Sequence, residues 1–350
     1  MSKIGDLLRK HLKNFTPYST ARDDFKGDRG IFLDANENAL GSVIFKNYNR
    51  YPDPRQSHLK LVMGKIKGIA PECIFMGNGS DEPIDLLIRA FCEPGIDDVM
   101  IFPPTYGMYK VAANINNVSV NEVLLTKDFQ LDMTQIKSAL NDHVKIIFIC
   151  SPNNPTGNLI QVQDILDLAT VFKGIIVIDE AYIDFTDTPS WIEAISKFSH
   201  LVVLQTLSKA WGLASLRLGI AFCDPKIVDV LNLIKPPYNI SGPVQNHVLK
   251  ALKKEGQMRS FVEEIKKLKK ELGLALEQLP IVLKVYPSET NFFLVKFKNV
   301  QEIFQYLIRN EIILRDRSGL FLCEDCIRIT VGTAFENKQL ILTLKNYLKI

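Results

Sequence analysis

Four short stretches of this chain combine residue types that can do chemistry. TLSKAWGLASLRLG, Thr206 to Gly219, sets Lys209 among small and apolar neighbours and follows it eight residues later with Arg217. A lysine in a partly desolvated site beside other cations loses basicity and becomes a nucleophile able to form a Schiff base. SPNNPTG offers Asn154, and DEAY offers Asp179 and Tyr182. GNGSDEPIDLLIRAF offers two glycines and Ser80 where an apolar-periodic helix opens. Backbone N–H groups at such an opening, with the positive end of the helix dipole, suit a phosphate. Arg217 is a fixed charge able to hold the same phosphate bidentately. The glycines do not spell a dinucleotide fingerprint, since the sixth position is Glu82, and no Walker lysine follows.

Each residue taken singly has an ordinary structural role: Asn154 as a turn residue before Pro155, Asp179 as a helix cap, Lys209 as a surface lysine. Their conjunction points to pyridoxal phosphate. A strand-end aspartate keeps the pyridine nitrogen protonated, so that the charged ring can accept electrons from a carbanion. Asn154 and Tyr182 are placed to hydrogen-bond the ring oxygen. Tyr106, in PPTYGMY, offers a flat face for stacking, besides its plain role as a core aromatic.

These residues need elements that bring them to one edge. The middle of the chain alternates β-branched runs with helical patterns, which argues for parallel βαβ units. The runs are CIFMGNG, DVMIFPP, VSVNEVLL, VKIIFIC, GIIVIDEA, LVVLQTL and LGIAFCD. In open α/β sheets ligands bind beyond the carboxyl ends of the strands, and Asn154, Asp179 and Lys209 each follow one such end. From about Asn239 the texture changes to a long amphipathic helix around FVEEIKKLKKELGLALEQL, then shorter strands, NFFLVKF and CIRITVG, flanking a helix. Its lysines are interleaved with glutamates and read as a solvated face. The expected architecture is α/β: a mostly parallel seven-stranded sheet with helices on both faces, plus a smaller α+β domain. We expect residues 1–45 to form an N-terminal arm and part of the small domain, 46–238 the large cofactor domain, and 239–350 the small C-terminal domain.

Composition sets the class. With 350 residues, 47% of them hydrophobic, the chain can bury a sizeable core. Forty-two basic against 39 acidic residues leave a net charge of +3, too little to imply nucleic acid or a membrane surface as partner. MSKIGDLLRKHLKNF lacks the apolar core of a signal peptide, and no later apolar run approaches the roughly 18 residues of a membrane helix. A soluble, cytoplasmic, small-molecule enzyme is expected. Cys323 and Cys326 have CxxC spacing, but no second pair or nearby histidines complete a zinc site, so all six cysteines read as reduced core thiols.

The sequence also resembles a known family, the fold-type I pyridoxal phosphate aminotransferases, and within them the histidinol-phosphate aminotransferases. The resemblance runs through LDANENALG, RYPDP, GNGSDEPIDLLIRAFCEPG, PPTYGMY, CSPNNPTGN, DEAYIDF, TLSKAWGLASLRLG and CIRITVGT. It implies a homodimer with active sites at the interface. Lys209 matches the Schiff-base lysine, Asp179 the partner of the pyridine nitrogen, and Asn154 and Tyr182 the partners of the ring oxygen. Tyr106 matches the stacking aromatic; Ser80, Asp81, Ser208 and Arg217 match the phosphate cradle. Ser80 stands where many relatives carry alanine, which leaves a backbone donor unaffected. Tyr51 corresponds to a tyrosine reaching the phosphate from the other subunit. Arg328 matches the arginine gripping the substrate's anionic group, while Arg315, Tyr18 and Asn36 are expected beside the substrate. The implied reaction moves an amino group between histidinol phosphate and 2-oxoglutarate in histidine biosynthesis. A general or aromatic aminotransferase, or a threonine-phosphate-type decarboxylase, would share the cofactor residues. A cofactor-binding regulator would need a basic recognition element that the sequence lacks.

Overall fold

Continuous apolar runs become strands in this protein because both faces of their sheet are covered. The computed structural model describes residues 4–16, 31, 33–44 and 48–349. Seven strands form one sheet: β1 (Ile74–Asn78), β2 (Asp98–Ile101), β3 (Ser119–Glu122), β4 (Val144–Cys150), β5 (Ile175–Asp179), β6 (Leu201–Thr206) and β7 (Leu218–Cys223). Their order is β1-β7-β6-β5-β4-β2-β3. Every residue of β5 and β6 is buried. Alternate residues of β4 serve opposite core layers, Ile147 and Ile149 on one side, Ile146 and Phe148 on the other.

The pairs β2–β3, β2–β4, β4–β5 and β5–β6 are parallel. Only β7 runs against its neighbours, antiparallel to both β6 and β1. The carboxyl ends of β1, β2, β4, β5 and β6 therefore share an edge with the start of β7. This topology brings Ser80, Tyr106, Asn154, Asp179, Lys209 and Arg217 together from five separate stretches of sequence.

A second, antiparallel sheet has the order β10-β11-β9-β8, with β8 at Val282–Val285, β9 at Phe292–Phe297, β10 at Arg315–Asp316 and β11 at Cys326–Thr330. Its core joins Phe297, Val295 and Ile327 to Leu272 and Leu276 of the long helix, Ile303 of the helix Val300–Arg309 and Leu344 of the helix Ala334–Leu348. The long helix spans Glu255–Glu277, starting one and a half turns before its apolar periodicity is evident. The short strands β8 and β10 were not anticipated. Cys323 and Cys326 lie in the main core, where burial pushes both thiols up to about 12. Among the described residues no helix is long and apolar enough to cross a membrane.

Candidate active site

The shared edge opens into a cavity of 430 Å³ that also receives β10 and β11 of the second sheet. Its first wall begins where β1 gives way to the helix Asp81–Phe91 through Gly79 and Ser80. Ser80 occupies the N-cap without using its side chain as a cap, which leaves its hydroxyl and the first helical N–H groups available to an anion. Gly79 has φ +75°, and a Cβ there would collide with the Arg217 guanidinium. A Cβ on Gly219 would strike the backbone of Gly79 and Ser80. Arg217 adopts a left-handed φ of 52°, uncommon for a residue with a side chain, as the chain turns into β7. Its guanidinium lies 3.6 Å from Asp81, which also accepts a 3.1 Å hydrogen bond from the Tyr106 hydroxyl. Across the cradle, the Ser208 hydroxyl lies 3.0 Å from that of Thr206.

The middle of the cavity is set by Asp179, the last residue of β5 and 4% exposed. One carboxylate oxygen accepts from the Tyr109 hydroxyl at 2.7 Å and the other from the Ala181 N–H at 3.1 Å. Burial raises its pKa, and those two hydrogen bonds work against the shift. Tyr109 is fully buried, stacked on Phe148 at 4.8 Å, and meets Tyr106 edge-on at 5.5 Å. Asn154 and Tyr182 form a pair, the amide donating to the phenol oxygen at 3.4 Å.

Lys209 is exposed within the cavity. Its small neighbours leave open volume around it instead of covering it. The ammonium is still pushed below its ordinary value, first by desolvation against the cavity walls and next by Arg328; Asp179 opposes the shift. It sits 5.5 Å from the centre of the Tyr182 ring.

Arg315, Arg317 and Arg328 make the far wall. Arg328 of β11 pairs in register with Arg315 of β10, and its Nη1 donates to the Asn154 side-chain oxygen at 2.5 Å. One hydrogen bond thus ties the arginine wall to the Asn154–Tyr182 pair. Tyr51 and Asn36 line a separate cavity of 540 Å³, where Tyr51 stacks on Tyr238 at 4.4 Å. Within a single chain these two residues do not join the lysine. Tyr18 lies outside the described residues. Sequence reading overlooked two residues: Tyr109, three positions after Tyr106 in PPTYGMY, and Arg317, two after Arg315 in RDR.

These residues fit pyridoxal phosphate. The glycines leave room for an anion against a helix start and Arg217, the buried carboxylate calls for a cationic partner, and Asn154 with Tyr182 offers hydrogen bonds to a ring oxygen. Fold and site define a fold-type I pyridoxal phosphate enzyme. The chain belongs to the aminotransferase class I and II family, whose model matches residues 24–344. It is 52% identical over 344 residues to the histidinol-phosphate aminotransferase of Cytophaga hutchinsonii, covering 98% of this chain and 99% of that one. With the enzyme of the same name from Bacteroides fragilis it shares 45% identity over 348 residues, 99% and 100% of the two chains. The histidinol-phosphate aminotransferase of Clostridium acetobutylicum superposes with a TM-score of 0.80 at 24% identity, over 87% of this chain and 92% of that one. L-threonine-O-3-phosphate decarboxylase from Porphyromonas gingivalis superposes at 0.75 with 23% identity over the same shares, so likeness of fold does not separate the two reactions.

Proposed function

We propose that this protein transfers the amino group of histidinol phosphate to 2-oxoglutarate, reversibly, giving imidazole acetol phosphate and glutamate as a step of histidine biosynthesis. The observation that carries this reading is a single cavity with Lys209 and Asp179 on one wall and, on the other, arginines that have no carboxylate partner among the described residues. The names of the relatives that match it nearly end to end support the same substrate.

Pyridoxal phosphate, when bound, supplies a ring that accepts the electrons released at the substrate Cα. The cradle of Ser80, Asp81, Ser208 and Arg217 holds the cofactor's phosphate, and Asp179 keeps a proton on the pyridine nitrogen. Asn154 and Tyr182 hydrogen-bond the ring oxygen, and Tyr106 lies against the ring. Lys209, with its basicity lowered, would take the proton from the substrate Cα as a neutral amine and, as the conjugate acid, deliver it on the cofactor side, at C4′. Arg328 grips the substrate's anionic end, which is a phosphate in one half-reaction and a carboxylate in the other, and Arg315 is the second cation for the phosphate. A planar guanidinium suits both.

In this reading residues 46–238 hold the cofactor and 239–350 supply the arginines. Two copies assemble, so that Tyr51 serves its partner's cradle; its distance from the cavity of its own chain and the exposed apolar residues Leu33, Leu40, Val43 and Ile44 support this. All six cysteines are free, which suits the reducing cytoplasm. An absorbance titration of the purified holoenzyme tests the function. Histidinol phosphate should bleach the bound cofactor's visible band, whereas aspartate and threonine phosphate should not. Bleaching by aspartate would favour a general aminotransferase, and release of carbon dioxide from threonine phosphate would favour the decarboxylase.

A further inference from the structure

The arginine wall holds one guanidinium more than the two assigned to the substrate. β10 pairs Arg315 with Arg328 and Asp316 with Ile327, and the ladder continues as the Arg317 N–H donates to the Cys326 carbonyl at 3.0 Å. Strand alternation then sets Arg315 and Arg317 on one face and Asp316 on the other. There Asp316 is occupied: it accepts from the Ser318 N–H at 2.8 Å and from its hydroxyl at 2.6 Å. Arg315 and Arg328, directly opposite each other, share their face, so all three guanidiniums enter the cavity that contains Lys209.

Among the described residues none of the three has a carboxylate within ion-pair distance. The polar partner of Arg328 is a neutral amide. Arg317 has less, since its Nε is buried without any hydrogen-bond partner. Burial, then Arg328 and Arg315, push its pKa down to about 10, a second sign that its charge lacks compensation. Crowding three cations in this way is unfavourable until an anion arrives. A carboxylate brings one negative charge, and a phosphate brings close to two.

We propose that Arg317 is a specificity-determining residue that reads the second negative charge of the substrate phosphate, so that this site prefers a phosphorylated amine to its dephosphorylated counterpart and to a carboxylate. The inference rests on the amino transfer proposed above and goes beyond it by adding a residue of this chain to phosphate recognition. Arg328 serves both half-reactions, whereas Arg317, with Arg315, acts chiefly in the one whose substrate carries a dianion.

The test crosses an enzyme change with a substrate change. Steady-state kinetics are measured for wild type, Arg317→Gln and Arg317→Lys, each with histidinol phosphate, with histidinol and with glutamate. Arg317→Gln should raise KM for histidinol phosphate about tenfold or more, because a charge-assisted contact is lost, and should raise KM for glutamate and histidinol far less. Arg317→Lys, which keeps the charge and loses the fork, should fall between. As a readout independent of turnover, inorganic phosphate should raise the melting temperature of the wild-type holoenzyme more than that of Arg317→Gln. If Arg317→Gln does not fold, the lysine variant decides the matter by the same split in KM. Equal effects on all three substrates, or none, would overturn the proposal while leaving the amino transfer standing. A wild-type enzyme that treats histidinol and histidinol phosphate alike would remove the phosphate reading altogether, and the role of Arg317 with it.

Discussion

The two walls of the cavity handle charge in opposite ways. On the strand-end wall the groups around the cofactor's phosphate and ring nitrogen already have company: Arg217 faces Asp81, Asp81 also holds the Tyr106 hydroxyl, and Asp179 has a donor on each oxygen. On the wall built by β10 and β11, three arginines face one another, and among the described residues the Arg328 guanidinium has only a neutral amide as its polar partner. The first wall is organised before anything binds, which suits a cofactor that stays through every turnover. The second is left electrostatically incomplete, which suits an anion that must arrive and leave within each turnover. Hydrogen-bonded preorganisation and deliberate incompleteness thus separate the resident from the visitor.

Substitutions on the first wall should damage chemistry whatever the substrate. Lys209→Ala should lower kcat for every amino donor by about 10²- to 10⁴-fold or more, since the general base is gone, while circular dichroism stays native and the cofactor still binds non-covalently. A near-native rate would sink the assignment. Asp179→Asn comes next, with a loss of about 10²- to 10³-fold, because a neutral amide cannot hold the pyridine nitrogen protonated. Wild-type rates there would make Asp179 a mere partner of the Ala181 N–H.

Substitutions on the second wall should show which substrate is present. Arg328→Ala should raise KM in both half-reactions, and it should also shift a pH profile. Arg328 is the cation that lowers the basicity of Lys209 most, so its removal lets the lysine pKa climb back towards its ordinary 10.5. Cofactor uptake by the stripped enzyme, which needs the neutral amine, should then move to higher pH; a profile shifted downward would contradict the electrostatics described here. Arg315→Ala should raise KM for histidinol phosphate more than that for glutamate, and identical effects would return the protein to the general aminotransferases. The smallest effect is expected at Tyr51→Phe. Losing one hydrogen bond to a charged acceptor should weaken cofactor retention by about 1.5 to 3 kcal/mol, measured by dialysis, with folding unchanged. Sedimentation as an active monomer would break the intersubunit reading.

The first wall was far more legible in the sequence than the second, for physical reasons. Strands such as VKIIFIC and LVVLQTL, buried on both faces, leave unbroken apolar runs, and the polar residue after each run marks the sheet edge where ligands gather. β10 is two residues long and has no period to recognise, so Arg315 was reached through family resemblance and Arg317 was not reached. Tyr109 escaped because it sits in the first turn of the helix Met108–Ile115 with the look of an ordinary core aromatic; only its hydroxyl on Asp179 distinguishes it.

The reversed direction of β7 decides where the chain will tolerate a change of length. Each parallel connection of the sheet leaves from the ligand edge and returns at the opposite edge, so added residues can be absorbed along the crossover. The segment from Leu207 to Arg217 departs from β6 and enters β7 on the ligand edge, carrying Lys209 near one end and Arg217 at the other. Its residue count is therefore a ruler between nucleophile and phosphate grip. One residue inserted there should uncouple the two ends of the cofactor, whereas one inserted between β4 and β5 beyond the helix Val162–Val171 should leave them in step.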